Sequence, residues 1–345
     1  MRFLIVYFLF SNFMFAESLE TLKSEYKALP QKVEEIPFSK SNPYSKDKEE
    51  LGKLLFFDTR LSGFNGRSCA TCHNPGLVWS DGMKLSIGDG KKPGPRKTPT
   101  LFNLAWQNSF PSDGKFNTLV DQALGVFQNP KVMNIKLDHL VSKIRQKIPG
   151  YLPYFERSFG SARNEENTPE MLITPEHIGK AIDVFQRTLV SGIAPFDKWI
   201  GGDETAINDK AKKGFVLFHG KGNCAACHSG NIFSDGTFHD IGVRKTMLNK
   251  ITIDKGDGKF GFKVSPLREV AMRPSFMHNG SLMGLKAVID FYDKGGEEIR
   301  PSLSPKIKKL NLTEEEKDNL VEFIKTLVSP MKDINVPTKF PPLLD

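Results

Sequence analysis

Cys69-Ala70-Thr71-Cys72-His73 and Cys224-Ala225-Ala226-Cys227-His228 repeat one spacing, C-x-x-C-H, and together they use all 4 cysteines of the chain. Two thiols three positions apart, followed at once by an imidazole, suit covalent attachment of a c-type haem: the thiols add to the vinyl groups and the histidine reaches the iron. A zinc site built from such pairs does not call for a histidine directly after each second cysteine. A thioredoxin-like redox pair needs a βαβ context that this chain lacks, and C-x-x-C bridges are reactive more often than structural. The spacing therefore predicts a di-haem c-type cytochrome. Cys69, Cys72, Cys224 and Cys227 are its attachment points, with His73 and His228 as proximal iron ligands.

The N-terminus is consistent with export. Arg2 precedes an apolar run from Phe3 to Phe15 that ends at Ala16. This reads as a secretory signal over residues 1–16, too short for an ordinary membrane span. Haem of this type is attached outside the bacterial inner membrane, so the expected location is the periplasm, and the chain is not expected to be an integral membrane protein.

Composition bounds the partners. The formal charge is +8; removing Arg2 leaves +7, and four propionates on two haems bring it near +3. Lysines such as Lys91, Lys92 and Lys210 are scattered rather than arrayed in a stripe with aromatics, which argues against nucleic acid. A modest basic surface suits steering of a small acidic redox protein.

Both motifs sit behind similar helices. Lys46 to Phe57 places Leu51, Leu54 and Leu55 at helical spacing after a cap at Ser45. Asn208 to Phe218 repeats the arrangement with Ala211, Phe215 and Phe218, which suggests duplication. Thr174-Pro175-Glu176 starts a further helix, with Ile178, Ala181, Ile182, Phe185 and Leu189 as its stripe. Thr313 and Glu316 form a capping box ahead of Leu320, Phe323, Ile324 and Leu327. Gly88 to Pro99, Ser161 to Pro169 and Gly256 to Gly261 read as loops. Gly88 to Gly94 lacks the ending of a phosphate loop. Asp254 to Ser265 lacks the closing glutamate of a calcium loop. The expected fold is all-α, with two cytochrome c-like domains, residues 17–200 and 201–345, meeting at Gly201-Gly202-Asp203-Glu204 and each holding one haem.

Longer stretches carry a resemblance. Leu51 to Asp58, Arg60-Leu61-Ser62, Ser68 to His73, Pro99 to Asn103, Phe238 to Gly242, Met277 to Ser281 and Phe291 to Gly296 resemble the bacterial di-haem cytochrome c peroxidase and MauG superfamily. They follow the family order from about residue 36 to 330. The resemblance implies a calcium ion between the haems, held by the side chain of Asn103 and the backbone carbonyls of Arg273 and Ser275. It also implies that the N-terminal haem reacts with peroxide and the C-terminal haem accepts electrons, and it allows a homodimer.

Position by position the resemblance is partial. Asp89 stands where family peroxidases place a histidine that ligates the N-terminal haem, which implies an open distal side. Tyr292 stands where peroxidases carry an axial methionine and MauG-like members a tyrosine, with Met277 and Met283 as the alternatives. Phenolate favours oxidised iron, whereas methionine raises the potential. Gln122 matches a glutamine near the peroxide site, but Val126 replaces a proline and Val132 an acid–base glutamate. Valine cannot move a proton between the peroxide oxygens, so Asp89 and Lys131 become the candidate donors. Ser112 stands in place of the tryptophan between the haems, and Trp106 is the nearest aromatic substitute.

Two functions follow from these features. One is a peroxidase-type oxidoreductase. It would reduce hydrogen peroxide with electrons from a mono-haem cytochrome c or a cupredoxin, or use peroxide to oxidise a residue of a partner protein. The alternative is a di-haem electron carrier or redox sensor that has lost efficient O–O cleavage.

Overall fold

The computed structural model describes residues 19–88, 93–160, 168–244, 254–332 and 334–343. The proposed signal segment and Asp89 lie outside the described residues. The described fold is carried by α1 (Lys46–Phe57), α2 (Leu119–Gln128), α3 (Leu137–Lys147), α4 (Leu152–Phe159), α5 (Pro175–Arg187), α6 (Pro195–Ile200), α7 (Asp209–His219), α8 (Gly284–Asp293) and α9 (Glu314–Lys325). Two short antiparallel ladders are the only sheets among the described residues, pairing Phe238–His239 with Phe262–Lys263 and Ser275–Phe276 with Leu282–Met283.

The caps read from sequence are made. Ser45 Oγ accepts from Lys48 N at 3.2 Å and Thr174 Oγ1 from His177 N at 3.1 Å. Asn208 Oδ1 accepts from Ala211 N at 2.8 Å. Thr313 and Glu316 close their reciprocal box at 3.2 and 2.7 Å. Each bond satisfies an amide that the first helical turn leaves without an intrahelical acceptor.

Two helix pairs frame the two haem motifs in the same way. Helix α1 packs on α5, and α7 packs on α9. At each crossing a glycine lets the backbones meet. A Cβ on Gly52 would lie 1.9 Å from the carbonyl oxygen of Ala181, and one on Gly214 would lie 2.0 Å from that of Asn319.

Buried apolar residues gather into two large clusters. The first joins α1, α2, α3, α4 and α5 around Phe56, Phe127, Tyr151 and Phe155. The second gathers Phe215, Phe218, Phe233 and Phe323. Two segments that precede Gly201 also belong to the second cluster. One is α6 with Phe196 and Trp199, tied in by a fully buried ion pair between Asp197 and Arg268 at 2.8 Å; the other carries Tyr26. In return, the C-terminal tail reaches the first cluster through Ile334, and the Pro341 carbonyl accepts from Arg60 at 2.8 Å.

A third contact layer joins the halves. Lys97 N donates to His278 O at 2.9 Å, Arg273 Nη2 to Thr98 O at 2.7 Å and Lys263 N to Ser112 O at 2.8 Å. Arg96 binds Asp113 and Asp254, at 2.7 and 2.6 Å. With that bond, and with Asp257 accepting from Lys259 N and Gly261 N, the acids of the 254–261 loop are committed to local structure.

Candidate haem sites and their electrostatics

The two C-x-x-C-H segments fold alike. Cys69–Cys72 is one helical turn and Cys224–Ala226 a tighter one, and in each the histidine amide donates back to the first cysteine's carbonyl at 2.9 Å. This turn brings both thiols and the imidazole to one side of the chain. Burial pushes the Cys69 and Cys224 thiols up to about 12, so neither is a ready thiolate.

The imidazoles are held by equivalent bonds. His73 Nδ1 donates to the carbonyl of Trp79 at 3.0 Å, and His228 Nδ1 to that of Phe233 at 2.9 Å. A carbonyl only accepts, so the proton is on Nδ1 and Nε2 keeps its lone pair for a metal. The acceptor residues share a left-handed backbone, with φ 53° at Trp79 and 56° at Phe233. Burial lowers both imidazole pKa values and keeps the rings neutral, as ligation requires.

His228 opens onto a cavity that Cys224, Cys227 and Tyr292 also line. Burial raises the Tyr292 phenol well above its usual range. Met277 lines the same cavity, whereas Met283 is 59% exposed and lies outside its lining. Five cations, Lys97, Lys263, Arg273, Lys306 and Lys308, line this cavity. Among the described residues no carboxylate lies within ion-pair distance of Lys97, Lys263 or Arg273, whereas Lys306 pairs with Asp235 at 3.9 Å. Burial lowers Lys97, Lys263 and Arg273, with Arg273 also acting on Lys97, to about 7, 8 and 10. A hydrophobic cavity with a fixed imidazole, two thiols and unpaired cations fits a planar anionic cofactor such as haem.

Of the remaining histidines, His239 and His278 line this cavity and the others do not. His219 bonds Tyr26 Oη and the Phe215 carbonyl. His177 bonds the Leu172 carbonyl and stacks on Phe159. His239 lines the cavity, but its nitrogens meet Thr237 and Ser304. Although Cys227, Asp235 and His239 could together hold a metal ion, that thiol belongs to the haem motif. His278 stacks on Phe262 at 3.7 Å, and His139 is exposed.

Gln122 is half-buried on α2, and Val126 and Val132 pack against the first core. Lys131 is exposed in the loop after α2. The base of the loop leading to Asp89 is tied down: Arg67, two residues before Cys69, donates to the carbonyls of Ile87 and Gly88 at 3.0 and 2.7 Å. Ser112 does line the second cavity. Trp106 does not substitute for the missing tryptophan there; it packs beside Leu29, Ile36 and Val190, away from the cavity lining.

The calcium ligand set does not fit. Asn103 is fully buried and spends its amide on Ser191, with Oδ1 accepting from Ser191 N at 3.0 Å and Nδ2 donating to Ser191 Oγ at 2.8 Å. The Ser275 carbonyl already accepts from Lys97 Nζ. Lys97 and Lys263 are the residues that sequence reasoning missed; isolated lysines in loops carry no spacing signal that marks them.

With this geometry in place, the chain belongs to the di-haem cytochrome c peroxidase family: the family model, described as "Di-haem cytochrome c peroxidase", matches residues 46–205. Within that family it is 44% identical to the methylamine utilization protein MauG of Methylorubrum extorquens, over 93% of this chain and 88% of that one. It is 30% identical to the cytochrome c551 peroxidase of Pseudomonas aeruginosa, over 90% and 86%. Among solved structures, a MauG-like protein associated with microbial copper homeostasis aligns with a TM-score of 0.73 at 26% identity, covering 88% of this chain and 93% of that one. The chain is thus a peroxidase-type oxidoreductase, and family membership implies two c-type haems.

Proposed function

We propose that this protein is a periplasmic di-haem enzyme of the MauG type that uses hydrogen peroxide to oxidise a partner protein. The observation that carries this reading is Tyr292 sharing one cavity with His228, Cys224 and Cys227. His228 and Tyr292 would hold the iron of the haem in that cavity, and His73 would hold the iron of the other. When bound, the haems supply redox-active iron at which peroxide is reduced.

The chain's own residues set the conditions. Trp79 and Phe233 hold the proximal imidazoles in the metal-binding tautomer. Lys97, Lys263 and Arg273 offset the propionate charge at the second cavity. Burial keeps Tyr292 protonated in the absence of a metal, and a bound ferric iron would favour its phenolate. Reducing one peroxide to two waters takes up two electrons and two protons. With Val132 packed in the first core, Gln122 orients the peroxide, and Asp89 delivers protons from the loop whose base Arg67 anchors. Electrons come from a small redox protein or from the oxidised partner residue.

One haem is assigned to each half, with the boundary near Gly201. We place α6 and the Tyr26 segment with the second half, because their side chains complete its core.

The test is a stopped-flow optical spectrum of the diferric holoprotein mixed with stoichiometric peroxide. Rapid loss of a high-spin ferric signature, reversed by a reduced small cytochrome or by a protein substrate, is the expected result. Two six-coordinate low-spin haems that only bleach slowly would make the protein an electron carrier or redox sensor instead.

A further inference from the structure

We infer that this protein carries a cation of its own, the Nζ of Lys97, where the family resemblance calls for calcium, and that it binds no calcium at that place. The inference rests on family membership and not on the peroxidase reading.

The first argument is occupancy. Lys97 Nζ donates to the Ser275 carbonyl, one of the two backbone oxygens the resemblance assigns to the metal. Calcium needs that oxygen at about 2.3–2.6 Å. An ion bound there would lie in contact with the lysine head group, and two cations on one carbonyl repel strongly in a site shielded from water. A neutral amine would make the same hydrogen bond and block the same oxygen.

The second argument is that Lys97 is pinned. Its own amide donates to the His278 carbonyl at 2.9 Å, and Arg273 holds the next residue through the Thr98 carbonyl at 2.7 Å. Nζ also lies over the Phe276 ring, 5.8 Å from its centroid, an approach that suits a cation. Phe276 adjoins Ser275, so one short strand contributes both the carbonyl and the aromatic face.

The third argument is the absence of a ligand set. Asn103 cannot turn to a metal without stripping the Ser191 amide and hydroxyl of their partners, in a position with no access to water. Lys97, Lys263 and Arg273 line the neighbouring cavity without a paired carboxylate among the described residues. Calcium sites take six to eight oxygens and usually include carboxylates; here the local charge is already positive.

A tethered ammonium differs from calcium in one functional respect: it cannot be chelated. A relative that depends on a bound ion loses its inter-domain charge when the ion is removed, whereas here the charge travels with the chain.

The experiment uses the intact di-haem protein and two variants. The wild type, dialysed against calcium and then against buffer, should contain far less than one calcium per protein by mass spectrometry. A calcium chelator should leave its optical spectrum and melting temperature unchanged. Lys97→Met, which keeps the stem and loses the charge, should melt lower and shift the spectrum of the His228 haem, with no rescue by calcium. Lys97→Asn frees the Ser275 carbonyl and removes the charge; with Asn103 committed to Ser191, it should melt lower, like Lys97→Met, and not recover with calcium. One retained calcium in the wild type, a chelator-sensitive spectrum, or Lys97 variants that melt and absorb like the wild type would overturn the inference. These readouts do not use peroxide, so their failure is separate from failure of the proposed activity.

Discussion

Asn103 and Glu269 occupy equivalent places in the two halves. Both are left-handed, with φ 63° and 64°, and both donate their amide to a carbonyl just past a packed helix, Leu189 and Leu327. Their side chains accept from the amides of Ser191 and Ser329, two residues further on. Gly192 N then donates to Ser329 Oγ at 2.9 Å, so the two locks touch where the halves meet. The repeated arrangement thus becomes a contact between the halves.

From this lock, Asn103→Ala should destabilise the holoprotein by about 1–3 kcal/mol, because it leaves the buried Ser191 amide without its acceptor. Chemical denaturation would measure the loss. An unchanged midpoint would show that the side chain is not structural.

The glycine crossings are equally specific. Gly214→Ala must push the Asn319 carbonyl away, and we expect a cost of about 2 kcal/mol or more and a drop in haem incorporation. Gly160→Ala is the control, because nothing lies within 4 Å of the added Cβ. Equal melting temperatures for the two variants would refute the account.

Replacing each proximal histidine separates the haem roles. His73→Ala should abolish peroxide reactivity and leave the spectrum of the second haem intact. Retained turnover in that variant, with loss in His228→Ala, would reverse the assignment.

Tyr292→Phe removes the proposed ligand oxygen while keeping the ring. It should change the spin state of the second haem and raise its potential, as read by optical and paramagnetic resonance titration. Met283→Ala should change neither, because that side chain is exposed. A Tyr292→Phe protein with an unaltered spectrum would point to Met277.

Acid should act through His278. Burial lowers its pKa to about 4, with Asp254 opposing the shift and Arg96 and Arg300 adding to it. The folded state therefore binds fewer protons than the unfolded state, whose histidine titrates near 6.5. The stability is complete above about 6.5 and is lost as pH falls toward 4, on the order of 1–3 kcal/mol. His278→Phe preserves the stack on Phe262 and should flatten that part of the pH–stability curve. Parallel curves for the two proteins would exclude the assignment.

The helices were legible because their signals are local. Ser45, Thr174, Asn208 and Thr313 cap the helices they precede, since a side-chain oxygen three residues before an orphan amide is a short-range fact. The seam between the halves was not. Nothing near Asn103 in sequence announces Ser191, 88 positions away. Nothing near Lys97 announces Ser275, 178 positions away. The resemblance assigned the Ser275 carbonyl to a metal by residue type, and residue type does not reveal that the Lys97 side chain reaches the same oxygen. Trp106 shows the same limit: near Ser112 in sequence, it turns into a separate apolar cluster.

By itself, then, the sequence determined the chemistry that is fixed within five residues: two thiols and an imidazole per motif, the caps, and the apolar stripes behind them. The tertiary structure alone decided which side chains share a cavity with the second motif, which segments cross between the cores, and that a lysine meets the Ser275 carbonyl. Local spacing follows from the geometry of one helical turn. The other relations depend on how separate elements pack, and that is set by burial summed over the whole chain.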